Sequence, residues 1–368
     1  MEFLLNKDQQ ALRETVRILA LGDIGQQLPS VADRGLESEP FRKRLAEAGL
    51  LGAMRPVSYG GRECSVMEAV VILEELASIA PRGALGLAEH DFLFVPHIQM
   101  FGDDKQKERL IAGASQNPEL GSWCVVDPSR GTGSDAGAAR AEPQAEGWII
   151  NGSPLTLVNG ALAEKLVVTV STNSAGRFSA LSAFLLDRGM TGIGWEADGT
   201  AGCRRPAGPG RLVLTNVRAG PDRVIGKIGG GKEAALDIYD KNRVVLASLC
   251  LGLAAAALQE FLAWFQTSSW STNNRPARVS DPETDLSERL VEYETARLLT
   301  YRAAFREDRD GRPGIESAGA CRTAARLALK ASALAARVTT AGPLSNRPAL
   351  SAAAIRRWLL IGKILESG

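Results

Sequence analysis

The residues best suited to hold a ligand's phosphate groups lie in two glycine-rich stretches. Gly131-Thr132-Gly133-Ser134-Asp135 offers backbone N–H groups and a serine hydroxyl, a combination that can surround a pyrophosphate. Arg204 and Arg205 lie in a second stretch rich in glycine and proline and could meet another phosphate. Both stretches also have plainer interpretations, a β-turn for the first and a solvated loop for the second. Neither pattern identifies a site by itself.

Histidines and cysteines are too few and too scattered to indicate a metal site. The chain has 2 histidines, His90 and His97. Its 5 cysteines lie far apart and form no CxxC pair, a distribution that fits a reducing compartment better than a disulfide framework. Lysine and arginine number 43 against 42 for aspartate and glutamate, so no global charge favours nucleic acid or a membrane surface. We expect no metal, no nucleic-acid partner and no membrane partner.

The N-terminal segment MEFLLNKDQQALRETVRILA does not resemble a targeting signal. Charges interrupt its apolar residues every few positions, which is unlike a signal peptide or a membrane span. A cytoplasmic location is therefore the expectation.

The elements that must position these residues fall into three regions. A chain of 368 residues is longer than one ordinary domain, and 45% hydrophobic with 23% charged residues is an ordinary globular composition. Helical periodicity dominates both ends, and short alternating or β-branched runs separated by glycine, asparagine and proline fill the middle. We predict a helical domain over 1–119, a small antiparallel β domain over 120–231 and a helical bundle over 232–368.

Particular segments carry this prediction. The helical candidates are Phe41–Ala48, the run VMEAVVILEELASIA, Leu85–Met100, Asp103–Gly113, Ala234–Phe265, Asp285–Glu307, Ala318–Thr340 and Leu350–Leu365. The strand candidates are Trp148–Gly152, Leu166–Ser171, Ala180–Leu186 and Arg211–Val217. The last four helices, joined mostly by short links, predict a four-helix bundle.

Five separated segments resemble the acyl-CoA dehydrogenase family, which has the same order of domains. They are LLGAMRPVSYGGRECSVMEAVVILEELA, FGDDKQKERLIAG, WCVVDPSRGTGSD, WIINGSPLTLVNGALAEKLVV and VIGKIGGGKEAALDIYDKNRVVLASLCLGLA. The resemblance spans nearly the whole chain. It implies an α+β fold with an N-terminal helical domain, a central antiparallel β domain and a C-terminal four-helix bundle.

The resemblance also implies a chemistry and a set of residues. In the family, FAD lies beside an acyl thioester, a carboxylate removes the α proton, and a hydride passes from the β carbon to the flavin. RRWLLIGKILESG resembles the segment that carries the base, which makes Glu366 the base candidate, nine residues after Arg357. Arg243 matches an arginine that the family keeps near that carboxylate, and Asn242 stands where some members have an alternative base. A solvated chain end for Glu366 and a surface arginine for Arg243 are the plainer alternatives.

The flavin loop WCVVDPSRGTGSD makes Trp123, Val126, Gly133 and Ser134 the candidate contacts on one side of the cofactor. Val126 stands where the family has a hydrogen-bonding threonine. Two further candidate contacts, Thr156 and Val158, take the places of a tryptophan that covers the ring and a threonine beside it. FAD is the expected cofactor, with several of the family's contacts to it missing.

Three functions remain open on this sequence. The first is oxidation of a CoA- or carrier-protein-bound acyl thioester to its α,β-unsaturated form, with a biosynthetic role. The second is flavin-independent proton chemistry in the same cleft, by an isomerase, lyase or cyclase, since the base position is retained while ring contacts are lost. The third is a non-catalytic subunit of a heteromeric dehydrogenase. A homodimer or homotetramer is expected for the first, and a heteromer for the third.

Overall fold

Apolar residues at helical spacing in both outer regions form helices in the computed structural model, and the runs of the middle region form strands. The structure describes residues 5–24, 39–112, 119–125, 139–152, 162–172, 181–197, 210–267, 281–311 and 314–338.

The described helices number ten. They are α1 Lys7–Ile24, α2 Glu39–Glu47, α3 Val66–Ile79, α4 Pro81–Glu89, α5 Val95–Phe101, α6 Asp104–Lys107, α7 Gly231–Lys241, α8 Arg243–Thr267, α9 Pro282–Asp310 and α10 Ile315–Val338. Two π-helical turns, His90–Phe94 and Glu108–Ala112, follow α4 and α6. The predicted helix Leu85–Met100 is therefore two helices joined by a π turn.

The described strands number eight. They are β1 Gly121–Val125, β2 Arg140–Gln144, β3 Gly147–Gly152, β4 Lys165–Ser171, β5 Leu181–Asp187, β6 Ile193–Ala197, β7 Gly210–Ala219 and β8 Val224–Ile225. They pair in the order β6-β7-β3-β2-β4-β5-β8, with β1 also on β4. Most pairs are antiparallel as predicted, but β1 pairs with β4 in parallel, and one parallel bridge joins β2 to β4. The fold class is confirmed, with a mostly antiparallel sheet.

The chain divides into two compact units. Within the described residues, the first comprises 5–24, 39–44, 64–85, 241–267, 281–311 and 314–338, and the second comprises 45–63, 86–112, 119–125, 139–152, 162–172, 181–197 and 210–240. In the first unit, two separate pieces of the N-terminal region group with the C-terminal helices.

The first unit is built around α8. This helix is apolar on every side, and α3, α9 and α10 all pack against it. A helix with no polar face has to be buried on all sides. The segment Arg243–Gln266 is long and apolar enough to cross a membrane, but 78% of its most apolar window is buried inside the protein, as in a core helix. Leu350–Leu365, predicted as a further bundle helix, lies outside the described residues.

Buried carboxylates join α3 to its neighbours in this unit. Glu74 accepts hydrogen bonds from the hydroxyls of Tyr293 at 2.9 Å and Tyr301 at 2.7 Å, both on α9, and Arg297 Nε lies 3.1 Å away. The neighbouring Glu75 meets Arg13 and Arg17 of α1, each at 2.8 Å. Because a buried carboxylate is stable only when it is fully paired, these contacts fix how α1 and α9 lie on α3.

The second unit is a sheet folded around its own apolar core. Inward-facing residues of six strands form this core, including Ile150, Leu166, Val168, Phe184 and Val217. The opposite face of β4 carries Val167 and Thr169, which are also fully buried. Both faces of β4 are therefore covered, which explains why its sequence KLVVTVS is almost continuously apolar.

Helices α3 and α8 lie in close contact at Gly252. A Cβ atom at this position would lie 2.3 Å from the backbone oxygen of Glu74 and 2.5 Å from the Cβ of Ala77. Gly252→Ala must push the two helices apart, so we expect it to lower the free energy of unfolding by about 1–3 kcal/mol. Gly319→Ala on α10 is the matched control, since a Cβ there meets nothing within 4 Å. It should raise stability by roughly 0.5–1 kcal/mol. Urea unfolding measures both, and equal effects of the two substitutions would contradict this packing.

Glu307, near the end of α9, makes the stability of the first unit depend on pH. Its side chain is 6% exposed, and burial raises its pKa to about 7, although a hydrogen bond from Ser317 at 3.3 Å opposes the shift. Since the folded state binds the proton more tightly, this contribution to stability is complete below about pH 4.5 and is lost as the pH rises through about 7.

Replacing Glu307 with glutamine should remove this pH dependence. Between pH 5 and pH 8 we expect Glu307→Gln to lose less unfolding free energy than the wild type, by on the order of 1–3 kcal/mol. Urea denaturation at both pH values measures the difference. Glu14→Gln, at an exposed position of α1, should follow the wild-type curve. Parallel curves for Glu307→Gln and the wild type would disprove the assignment.

Candidate functional site

Arg243 begins α8 immediately after a break in the helical chain. The sequence predicts one helix from Ala234 to Phe265, but the structure ends α7 at Lys241 and starts α8 at Arg243. Asn242, 4% exposed, separates them, and its carbonyl accepts the first backbone hydrogen bond of α8, from Leu246 N–H at 3.0 Å. Asparagine is among the preferred residues at this capping position.

An arginine in the first turn of a helix is opposed by the helix dipole. The N-terminal end already carries partial positive charge, so a cation there is unfavourable by about 0.3–1 kcal/mol relative to a neutral residue. A carboxylate at this position would be attracted both by the guanidinium and by the positive end of the helix dipole.

Trp123 lies on β1, and its side chain is engaged inside the second unit. Its indole N–H donates to Thr169 Oγ1 at 3.0 Å, its ring packs 4.8 Å from that of His97, and 3% of the residue is exposed. The buried indole has no open face or free donor to offer a flavin. The side chain of Trp123 therefore does not fit the predicted role of a cofactor contact.

The other predicted site residues cannot be placed. Glu366, Val126, Gly133, Ser134, Thr156 and Val158 lie outside the described residues, as does the Arg204-Arg205 pair. The strands that lead to some of them are described. β1 ends at Val125, directly before the segment with Val126, Gly133 and Ser134, and β2 resumes at Arg140 beside Ser171, at the end of β4. That segment therefore leaves and rejoins the sheet at one end of β4.

A buried polar cluster that the sequence did not reveal holds the start of β1. Gly121 N–H donates to His90 Nδ1 at 2.9 Å, so in the neutral ring His90 Nε2 carries the proton and faces Arg55 Nη2 at 3.0 Å. Two donors then face each other. The carboxylate of Asp91 supplies the counter-charge, and it lies 3.5 Å from Arg55 and 3.8 Å from His90. The neighbouring Ser122 hydroxyl donates to Glu89.

Asp91 also holds the turn that precedes α3. It accepts the N–H of Gly52 at 2.6 Å, and Gly52 has a φ of 81°, with the Arg55 side chain where a Cβ would lie. Burial raises the pKa of Asp91 to about 6, while Arg55 opposes that shift. The cluster therefore links the Gly52–Arg55 turn to the π turn and to β1. Three consecutive polar residues, Glu89-His90-Asp91, inside an otherwise apolar run are the signal that could have found it.

His97 is a neutral residue of the interior. Burial lowers its pKa to about 4, its Nδ1 lies 2.6 Å from the Leu93 carbonyl, and its buried Nε2 has no partner within the described part of the chain. The described residues contain no group of three or more histidine, cysteine, aspartate or glutamate side chains that could hold a metal ion.

Comparison with known proteins assigns the class. The sequence matches the N-terminal domain of acyl-CoA dehydrogenases over residues 6–117 and their C-terminal domain over residues 229–366. A short-chain-specific acyl-CoA dehydrogenase from Clostridium acetobutylicum is 26% identical over 314 residues, which are 83% of this chain and 80% of that protein. The chain belongs to the acyl-CoA dehydrogenase family, whose members are CH–CH oxidoreductases.

Solved structures agree on the fold. The butyryl-CoA dehydrogenase of Megasphaera elsdenii superposes with a TM-score of 0.79 at 22% identity, covering 98% of this chain and 95% of that one. The prolyl acyl carrier protein oxidase AnaB superposes with a TM-score of 0.78 at 16% identity, covering 98% of this chain and 100% of that one.

The hydrogen bond between Trp123 and Thr169 can be measured by a double-mutant cycle. Trp123→Phe leaves a buried hydroxyl without its donor and should lower the unfolding free energy by about 1–2 kcal/mol, and Thr169→Val should recover part of that loss in the double variant. Trp195→Phe is the control, because the buried Trp195 Nε1 has no hydrogen-bond partner among the described residues. Because Trp195→Phe removes no hydrogen bond, its polar part should leave the unfolding free energy unchanged or raise it. Strict additivity of the two substitutions would argue against the bond.

Proposed function

We propose that this protein oxidises an acyl thioester, carried by CoA or by a carrier protein, to the α,β-unsaturated thioester, with FAD as cofactor and in a biosynthetic pathway of the cytoplasm. The observation that carries the proposal is the match to both helical domains of the family, the second of which extends to Glu366. The base candidate thus lies inside the region of family likeness.

Two residues of this chain have defined tasks in the proposed reaction. Glu366 removes the proton from the carbon next to the thioester carbonyl, a step for which a positioned carboxylate is a suitable general base. Arg243, at the positive end of α8, attracts that carboxylate and favours its ionised form until substrate binds. FAD, when bound, supplies the acceptor for the hydride that leaves the β carbon.

Either kind of thioester is compatible with the relatives. The Clostridium acetobutylicum protein is named as an acyl-CoA dehydrogenase, and AnaB is named as an oxidase of a prolyl acyl carrier protein. Because these names belong to those proteins, the substrate of this chain has to be found with a panel that contains saturated acyl-CoA and acyl-carrier-protein thioesters.

A substitution of the base tests the proposed chemistry. Glu366→Gln removes the carboxylate with little change in volume, so we expect turnover of the best thioester to fall by roughly 10²–10⁴-fold while the Kd for FAD is unchanged. Titration of the purified protein with FAD, followed by steady-state assay with an artificial electron acceptor, gives both quantities. Glu146→Gln, at an exposed turn position, is the control and should keep full activity. Full activity of Glu366→Gln would remove the proposed base.

Flavin-independent proton chemistry is the second candidate, and the position of Trp123 favours it. A predicted flavin contact whose indole is buried and bonded to Thr169 weakens the case for the cofactor. Under this alternative, Glu366 would exchange the α proton of a thioester with solvent in protein free of flavin. Incorporation of deuterium from heavy water without FAD, absent in Glu366→Gln, would support the second candidate over the first.

A further inference from the structure

A strap of chain, residues 52–63, is held on the second unit by buried polar contacts at its start. The Gly52 N–H donates to Asp91 Oδ2 at 2.6 Å, and Arg55 lies 3.5 Å from Asp91 Oδ1 and 3.0 Å from His90 Nε2. Arg55, His90 and Asp91 are each at most 6% exposed. The short helical turn in the middle of the strap contains no buried residue. The polar cluster is therefore a main attachment of the strap.

The same cluster holds the start of β1. His90 Nδ1 accepts the N–H of Gly121 at 2.9 Å, so the imidazole ring contacts the strap through one nitrogen and the strand through the other. β1 ends at Val125, directly before the candidate contact Val126. Loosening of the cluster would therefore free one end of the strand that leads to the candidate site.

The carboxylate in this cluster is incompletely paired. Asp91 Oδ1 has no hydrogen-bond partner among the described residues, and neither has Arg55 Nε. At 3.5 Å, the contact between the two side chains is longer than a good hydrogen bond, so opposite charge supplies most of their attraction. A buried carboxylate with an unpaired oxygen is costly while it is ionised, and uptake of a proton removes that cost.

Few charges surround this carboxylate. Within the described part of the chain, Arg55 from the strap and His90 from the π turn are the charged or titratable side chains that face Asp91. β1 presents uncharged groups, the Gly121 N–H and the Ser122 hydroxyl, and that hydroxyl is bonded to Glu89. The ionisation of Asp91 itself therefore decides how well the cluster is satisfied.

We propose that Arg55, His90 and Asp91 form a latch that joins the strap to β1, and that this latch is closed in acid and opens more often at neutral pH. When the strap detaches, water reaches Asp91 and its carboxyl has the ordinary pKa of 3.8. Burial in the closed latch raises that pKa to about 6, although Arg55 opposes the shift. Because the closed form binds the proton more tightly, this contribution to closure is complete below about pH 4 and is lost as the pH rises through about 6.

Hydrogen–deuterium exchange of the full-length protein between pH 5 and pH 8 tests the latch. Each measured rate is divided by the intrinsic exchange rate at the same pH, which leaves the opening constant where reclosing is faster than exchange. The opening constants of the Gly52 and Gly121 amides should both rise about tenfold over this range and level off above about pH 7. Amides of β4, which pairs with β1 and β5, are the internal reference and should not change.

Three variants separate titration of Asp91 from general loosening of the fold. Asp91→Asn keeps the shape of the side chain but cannot titrate, so its opening constants should be equal at pH 5 and pH 8. Arg55→Gln removes the charge that opposes the pKa shift and should move the levelling-off to higher pH. Asp104→Asn, the same change as the first at an exposed position of α6, is the control and should keep the wild-type response.

The direction of the wild-type response decides between two kinds of latch. A fully paired carboxylate would have a lowered pKa and would close the latch as the pH rises, so opening constants that stay level or fall would overturn the proposal. A response of Gly52 without Gly121 would also overturn it, because the strap would then not be coupled to β1. So would a wild-type response in Asp91→Asn. The wild-type measurement decides even where a variant fails to fold, and it requires neither FAD nor a substrate.

Discussion

Helix α8 has no polar face, and this constraint organises the first unit. Since most of the helix must be removed from water, α3, α9 and α10 all pack against it. Gly252 lets α3 come so close that a single Cβ would strike its backbone. The start of α8 is also held by packing, because Val244 and Ala247, both near its N-terminal end, are fully buried. Arg243 is thereby held where α8 begins, and its position follows from packing rather than from a flexible loop.

The polar groups of both units are arranged around buried carboxylates. Glu74 and Glu75 on α3 are paired with tyrosines and arginines from α1 and α9, and Asp91 accepts the N–H of Gly52 and lies 3.5 Å from Arg55. A buried carboxylate left without these partners would cost several kcal/mol. The paired groups therefore specify one arrangement of the helices, while the apolar residues supply most of the driving force.

Much of the fold could be predicted because periodicity reports burial directly. Helices α3, α9 and α10 and strands β3, β4, β5 and β7 lie within a few residues of their predicted bounds. The break at Asn242 was missed because apolar periodicity continues across it, and only the capping preference of asparagine marks it. Strands β1, β2 and β6 were missed because they are short and contain few β-branched residues. The parallel pairing of β1 with β4 depends on contacts between distant segments, which local pattern does not encode.

The site was predicted less completely than the fold. Arg243 came from resemblance alone, and the structure adds the physical reason for its position. Trp123 was predicted as a cofactor contact from the loop it precedes, but alternation along β1 points its ring to the side of His97 and Thr169. In the Arg55–His90–Asp91 cluster, Arg55 lies 35 positions from His90, so the polar run Glu89-His90-Asp91 marks one half of the cluster and does not reveal its partner.

A single-turnover reaction tests the central claim, that this chain performs the redox chemistry of its family, most directly. Protein loaded with FAD is mixed without oxygen with saturated CoA- and carrier-bound thioesters, while flavin absorbance and the mass of the thioester are followed together. The account predicts loss of the oxidised flavin spectrum with one unsaturated thioester formed per flavin. A fully loaded protein whose flavin stays oxidised with every thioester would contradict it.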